Sequence, residues 1–321
     1  MKFGRSLGFL AALVSALCIG GLLSVAVTSK SYSESYPAVV CPPTLAGLTS
    51  QISLASKKTP FQRLQNRTTK TAPVKVLRLP VNKDSLLFSS DGVTPVVWQS
   101  RASSWAGGAV CTGPETSQWF VGGTADITTR GRLIIINSGL SDAVVDVQGF
   151  TENGKQPLRT ITVVSKNYQV IPTDSLAPGD KYLTVHVAPR SGRINAFMID
   201  EQGAGLKSLG GDLVNSVSNA SKSVMIPAIP HQIKDRSPAL PHTLRVLTPG
   251  DVEATVTAEV LSSDGVFVPV GLTSRTVSAG IVTEFQFTPK ISSTVLAVRI
   301  TSTEPVVAAV KSTVTVAGRK D

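Results

Sequence analysis

The sequence is poor in the side chains from which most active sites are assembled. Its 321 residues hold three histidines and three cysteines, and aromatics make up 5% of the total. A structural zinc site takes four Cys or His ligands at short, regular spacings. No histidine here has another His, Cys or carboxylate at ligand spacing on its own element, so no metal site is assigned. The Gly-x-Ser-x-Gly turn that presents a hydrolase nucleophile is missing as well. Ser208, in Gly205-Leu-Lys-Ser-Leu-Gly210, stands one residue out of register, and Gly203-Ala-Gly205 lacks the strand-turn-helix frame of a phosphate loop. The carboxylate pairs Asp200-Glu201 and Asp142/Asp146 read as solvated charge. These absences argue against an enzyme and leave no catalytic residue and no cofactor to name.

Acid is missing from one long stretch. Between Tyr36 and Lys83 stand Lys57, Lys58, Arg63, Arg67, Lys70, Lys75, Arg78 and Lys83, with no Asp or Glu. From Asp84 onward the chain has 20 basic and 20 acidic residues, so the +10 net charge belongs to a segment. A localised excess of this kind does not describe a nucleic-acid-binding face. It reads as a basic stem, either a solvated spacer or a segment lying on an anionic surface.

Beyond residue 60 no long helical period is found. What is there instead is alternation. Ala254, Val256, Ala258 and Val260 share one face, and Glu253, Thr255, Thr257 and Glu259 share the other, which is a strand with one buried side. Asn137–Gly154 returns as Thr248–Gly265 at an offset of 111 residues, with Gly139 on Gly250, Val145 on Val256 and Gly154 on Gly265. Repetition on this scale indicates a small domain used twice. Leu183, Val185 and Val187 correspond to Leu296, Val298 and Ile300, and Ile194 is matched to Val307. Asp91-Gly92, Asn153-Gly154 and Asp264-Gly265 carry the hairpin-turn signal. The first of them reads as the mark of a degenerate third copy.

The expected fold is all-β: two tandem antiparallel β-sandwich (Ig-like) domains after an N-terminal transmembrane or signal helix. The divisions are 1–30 for the anchor or signal peptide, 31–73 for the basic stem and 74–122 for a small Trp-rich β subdomain. Repeat 1 spans 123–206, a linker 207–222 and repeat 2 223–316. Residues 28–73 are expected to pack little, with a short amphipathic helix around Ala46–Ser56.

Lys2 and Arg5 precede an uncharged run from Leu7 to Val27, which Lys30 closes. The run is long enough to span a bilayer, and the leading positive charge directs the body outside. Ser24-Val25-Ala26 would also serve as a cleavage site, so the helix is either a retained anchor or a removed signal. Cys18 lies inside the run as an apolar filler. Cys41 and Cys111 remain in the exported body, where an oxidising compartment favours one disulfide; a reducing location would leave two thiols.

The chain resembles an actinobacterial family of exported proteins of unknown function. The resemblance rests on the anchor, the early Cys41-Pro, Trp119-Phe-Val-Gly-Gly123, the Leu133–Gly139 and Leu244–Gly250 openings and the closing Glu304-Pro-Val-Val-Ala-Ala309. It covers most of residues 40–315. Membership implies a membrane-tethered extracytoplasmic β-sandwich protein and no activity. The chain departs from the family in carrying Cys111-Thr-Gly-Pro rather than a cysteine set beside the tryptophan.

One cluster has chemical content. Trp98, Trp105 and Trp119 fall within 22 residues, near Arg101 and Phe120. Exposed indoles stack on sugar rings, whereas buried ones fill a small core. The function expected is thus a non-catalytic structural or interaction module of the cell envelope, tethered to the membrane through its N-terminal helix. The alternative is a carbohydrate- or wall-polymer-binding protein using the tryptophans. The partner would be an envelope glycan or protein, not a nucleic acid.

Overall fold

A computed structural model gives the fold of residues 39–54, 59–66, 69–71, 78–88, 94–102, 104–204, 207–232 and 241–313. The expected export helix, the Ser89-Ser-Asp-Gly92 turn and Lys57, Lys58, Arg67 and Lys75 lie outside the described residues. Among the described residues the chain is built of antiparallel strands, with one 3-10 turn at Thr173–Ser175 and no α-helix. None of these residues forms a helix long and apolar enough to cross a membrane.

The sheets pack as successive layers. At the amino-terminal end, one four-stranded sheet runs in the order Val39–Cys41, Leu86–Phe88, Pro60–Arg63, Lys70–Thr71. A second runs Leu79–Val81, Thr49–Ser53, Val96–Arg101, Trp105–Val110. The disulfide Cys41–Cys111 lies in the core between them, with Cα atoms 4.8 Å apart.

This arrangement corrects two expectations. The described residues between 39 and 71 do not form a bare stem, because Ile52, Leu54, Phe61 and Leu64 are buried in the amino-terminal core. The segment expected as a helix holds the strand Thr49–Ser53. There Ser50 and Ile52 alternate inward, a period of two that the surrounding Ser, Thr and Lys had masked.

The middle region holds a four-stranded sheet in the order Asn167–Pro172, Arg132–Asn137, Ile194–Ala204, Lys207–Val214. It faces a sheet containing Gly154–Lys155, Ala143–Thr151, Thr184–Ser191, Gln118–Val121 and Ser216–Val217, with Arg159–Val163 also paired to Ala143–Thr151. Their common core takes Leu133, Ile135, Ala196 and Met198 from one side and Phe120, Val145, Val147, Val185 and Val187 from the other. Ile134 and Ile136 point the opposite way, with Phe197, Ile199 and Leu213, into the amino-terminal core. Leu133–Ile136 therefore has no exposed face, and all four side chains are fully buried. A strand covered on both faces reads as a continuous apolar run rather than an alternating one.

Residues 207–222, expected as a linker, instead carry the strands Lys207–Val214 and Ser216–Val217. Lys207–Val214 returns as a hairpin along Ile194–Ala204, and Ser216–Val217 pairs with Gln118–Val121. Its glycines signalled a joint, but ladder hydrogen bonds and the burial of Leu213 outweigh the low strand propensity.

In the carboxy-terminal region a seven-stranded sheet folds over on itself. The strand Val295–Lys311 makes the fold. Its first part pairs with Ala254–Ser262 and Ser221–Pro230, and its last part pairs with His242–Leu247, which in turn pairs with Thr283–Phe287. Ala254, Val256, Ala258 and Val260 all point into the enclosed core, as their alternation requires. A further cluster of Trp119, Val121, Phe150, Leu247, Val282 and Val307 joins this region to the middle one.

Candidate functional site

The three tryptophans do not meet on one surface. Trp105 and Trp119 are each 8% exposed, whereas Trp98 is 51% exposed. Strand alternation separates the first two: Trp98 points outward from Val96–Arg101, and Trp105 points inward from the neighbouring strand. Trp105 packs on Gly211, where a Cβ would stand 2.8 Å from the ring, and its indole N–H is buried without a partner. Trp119 lies in the contact between the middle and carboxy-terminal regions. It stacks on His186 at 4.0 Å and tilts against Phe150 at 5.7 Å.

Arg101 is not free to meet a ligand. Its Nη2 donates to Glu201 Oε2 at 2.9 Å, its Nε bonds the other carboxylate oxygen, and Nη1 reaches the Gly47 carbonyl at 3.2 Å. Glu201 is 4% exposed, so the pair fastens the amino-terminal sheets to the middle sheet.

A buried arginine, Arg245, was not singled out by the sequence. Arg245 Nη1 donates to the carbonyls of Gly123 at 2.7 Å and Leu183 at 2.9 Å. Its Nε and Nη2 bond Glu284 Oε1 at 2.8 and 2.6 Å, and the guanidinium lies 5.5 Å from the Tyr182 ring centre. The planar, multi-donor fork of arginine suits such a junction. Gly123 has φ +145°, and a Cβ there would stand 2.2 Å from Met198 Cε. The paired glycines after Trp119 thus let the backbone reach this junction without displacing the core.

The other carboxylates also have structural partners. Asp146 accepts from Thr160 and Arg190, each at 2.7 Å; the Arg190 bond and then the Thr160 bond hold its carboxyl below the usual range. Asp142 accepts from the Ser165 N–H at 2.9 Å, and Asp200 accepts from Thr124 at 2.8 Å. The Ser208 hydroxyl lies buried in its strand with no partner. No group of three or more His, Cys, Asp and Glu among the described residues is placed to hold a metal.

Two histidines 11 residues apart in sequence do come together. His231 Nδ1 and His242 Nε2 are 2.9 Å apart, and His242 Nδ1 bonds the Ser312 hydroxyl. Both rings are 3% exposed, and His242 lies 5.3 Å from the Phe287 ring. Burial, and secondarily the neighbouring His231, pushes His242 down to about 4 from its ordinary 6.5. Burial lowers His231 as well. Between these two values the unfolded chain binds more protons, so stability falls as pH falls. The loss from His242 is expected to be about 3 kcal/mol between pH 7 and pH 4. Urea midpoints of wild type and His242→Gln across that range check it, the mutant losing less stability on acidification.

Around Trp98 the surface forms an open cleft lined by Val96, Ala106, Gly107, Gly108, Val110, Asp212 and Asn215. Trp98 faces Gly108 across the strand pair, and a Cβ at Gly108 would lie 3.0 Å from the indole. The missing side chain allows the ring to lie close over the backbone. The indole N–H donates to Ser53 Oγ at 3.0 Å, which fixes the ring. Asp212 Oδ1 accepts from the Leu213 N–H at 2.7 Å. Burial against the strand raises the Asp212 carboxyl above its usual range, and backbone bonds from Leu213 and Gly108 offset part of that.

A model of a family of unknown function (DUF5719) matches residues 98–321. No curated protein and no solved structure matches the chain.

Proposed function

We infer that this chain, which belongs to the DUF5719 family of unknown function, is a non-catalytic structural or interaction module of the cell envelope. It is held outside the membrane by its apolar N-terminal segment, or released if that segment is removed. The observation that carries this reading is the use made of two arginines that bond across region boundaries. Arg101 joins the amino-terminal sheets to the middle one through Glu201, Arg245, paired to Glu284 on the neighbouring strand of its own sheet, reaches the middle region through the Gly123 and Leu183 carbonyls, and neither arginine lines the cleft around Trp98. Buried ionic groups are costly unless fully paired, and here the pairing goes into assembly.

The core is read as two tandem sandwiches produced by duplication, preceded by a smaller sheet pair. The register supports this. Ile136 faces Asn195, and Leu247, its counterpart at the 111-residue offset, faces Val307. Ile194 then corresponds to Val306 rather than to Val307, and both are fully buried. One residue fewer at the corner accounts for the change. The middle region turns at Gly192, and the carboxy-terminal region runs through as one strand. Asn137 ends its strand, and its counterpart Thr248 directly follows Leu247, the last residue of its own.

The exported location draws support from the Cys41–Cys111 disulfide, since such bonds persist in oxidising compartments. Val270 is 100% exposed and suits a test. A Val270→Cys variant of the full chain should be labelled by a membrane-impermeant maleimide in intact cells. Labelling only after lysis would overturn the placement.

A further inference from the structure

We propose that the Trp98 cleft is a saccharide-binding subsite, taking the face of a pyranose ring on the indole and its hydroxyls on Asp212 and Asn215. This narrows the three-tryptophan glycan surface to one platform, and it stands whether or not the rest of the chain is purely structural. Among the described residues Trp98 is the one exposed aromatic. The half-exposed indole does not stand alone, because exposed Val110 lies in the same cleft and the two make a contiguous apolar surface. The ring is also preset. Ser53 fixes its edge, and Gly108 lets it lie close to the strand. A fixed ring loses little side-chain entropy on binding, which favours contact through its face. The N–H is already bonded to Ser53, so the recognition here is stacking rather than donation.

The surroundings select the ligand class. Val96 and Val110 extend the apolar floor beside the ring, and Asp212 and Asn215 stand at its margin. An apolar face bordered by carboxylate and amide matches a sugar, whose ring presents C–H groups on a face and hydroxyls around its edge. Proline-rich peptides dock in aromatic-lined grooves. With one exposed ring and a carboxylate beside it, the cleft fits the sugar better.

The test follows the Trp98 indole N–H resonance of the full chain in titrations with cellotetraose, chitotetraose, maltotetraose and a proline-decamer peptide. Saturable shifts with at least one tetraose are expected, with half-saturation in the millimolar range. Trp98→Ala, whose fold is checked by unchanged Val298 and Ile300 amide resonances, is expected to abolish binding, read from the Gly107 and Gly108 amides. Asp212→Asn is expected to weaken it about tenfold. No shift with any tetraose, shifts with the peptide alone, or sugar binding that survives Trp98→Ala would overturn the proposal. None of these outcomes bears on the envelope location, which the labelling of Val270→Cys decides separately.

Discussion

Arg245→Ala is expected to destabilise the protein by about 3–5 kcal/mol, the cost of breaking a buried ion pair from one side. The guanidinium is 7% exposed and its partner Glu284 17%. Removing it leaves Glu284 without its countercharge and takes a donor from the carbonyls of Gly123 and Leu183. It also opens a void beside Tyr182. The consequence is larger than a local loss, because Leu247 and Val307 are buried against Trp119 and Val121 by the same junction. Urea unfolding should therefore change from one transition to two, the carboxy-terminal region separating first. Arg245→Lys should recover only part of the loss. An ammonium cannot reproduce the fork that reaches two carbonyls and a carboxylate together. An unchanged midpoint and a single transition in Arg245→Ala would show that the junction does not couple the regions.

The second large effect is expected at the disulfide. Cys41 and Cys111 are 70 residues apart and both are buried. In the chain-entropy model, a link closing a loop of that size contributes on the order of 4 kcal/mol. The paired variant Cys41→Ala/Cys111→Ala is expected to lose about that much. Four short strands of the amino-terminal sheets have three residues or fewer and hold little ladder of their own. The damage extends into the middle region, since Ile134, Ile136 and Phe197 lie in the same core as the cysteines. Unfolding followed by the fluorescence of Trp98 and Trp105 measures it. Equal midpoints for the oxidised wild type and the double variant would contradict the account.

The parts of the fold legible in the sequence were those with one wet face. Ala254, Val256, Ala258 and Val260 announced a strand because Thr255 and Glu259 stood between them, and the register agrees. The pairing of Cys41 with Cys111 was legible from the count, two cysteines beyond the apolar run. Where both faces are covered, alternation disappears, and Leu133–Ile136 gave no hint that a third layer lay across it. Thr49–Ser53 and Lys207–Val214 were hidden by a composition that favours loops. Their stability comes from neighbours far along the chain, which no local window contains.

The candidate site was legible only in part. Trp98, Trp105 and Trp119 are close in sequence, but they fall on different strands and faces, and only Trp98 meets solvent. Arg101 carried a signal as a cation near aromatics, yet its partner Glu201 lies 100 residues away. Arg245 stood inside an apolar strand, Leu244-Arg-Val-Leu247, with Ile134 at the matching position of the first opening. A charge in place of a buried isoleucine was the signal that could have marked the junction.

The central claim is that shared cores and the paired arginines Arg101 and Arg245 lock successive sheets into one body. The amide of Val282 tests it most directly, because it donates to the Thr151 carbonyl across the boundary at 2.9 Å. Hydrogen exchange in native buffer should find that amide protected as strongly as Val298 and Ile300 in the adjoining core. Exchange of Val282 close to the free-peptide rate, with those two amides still protected, would contradict it.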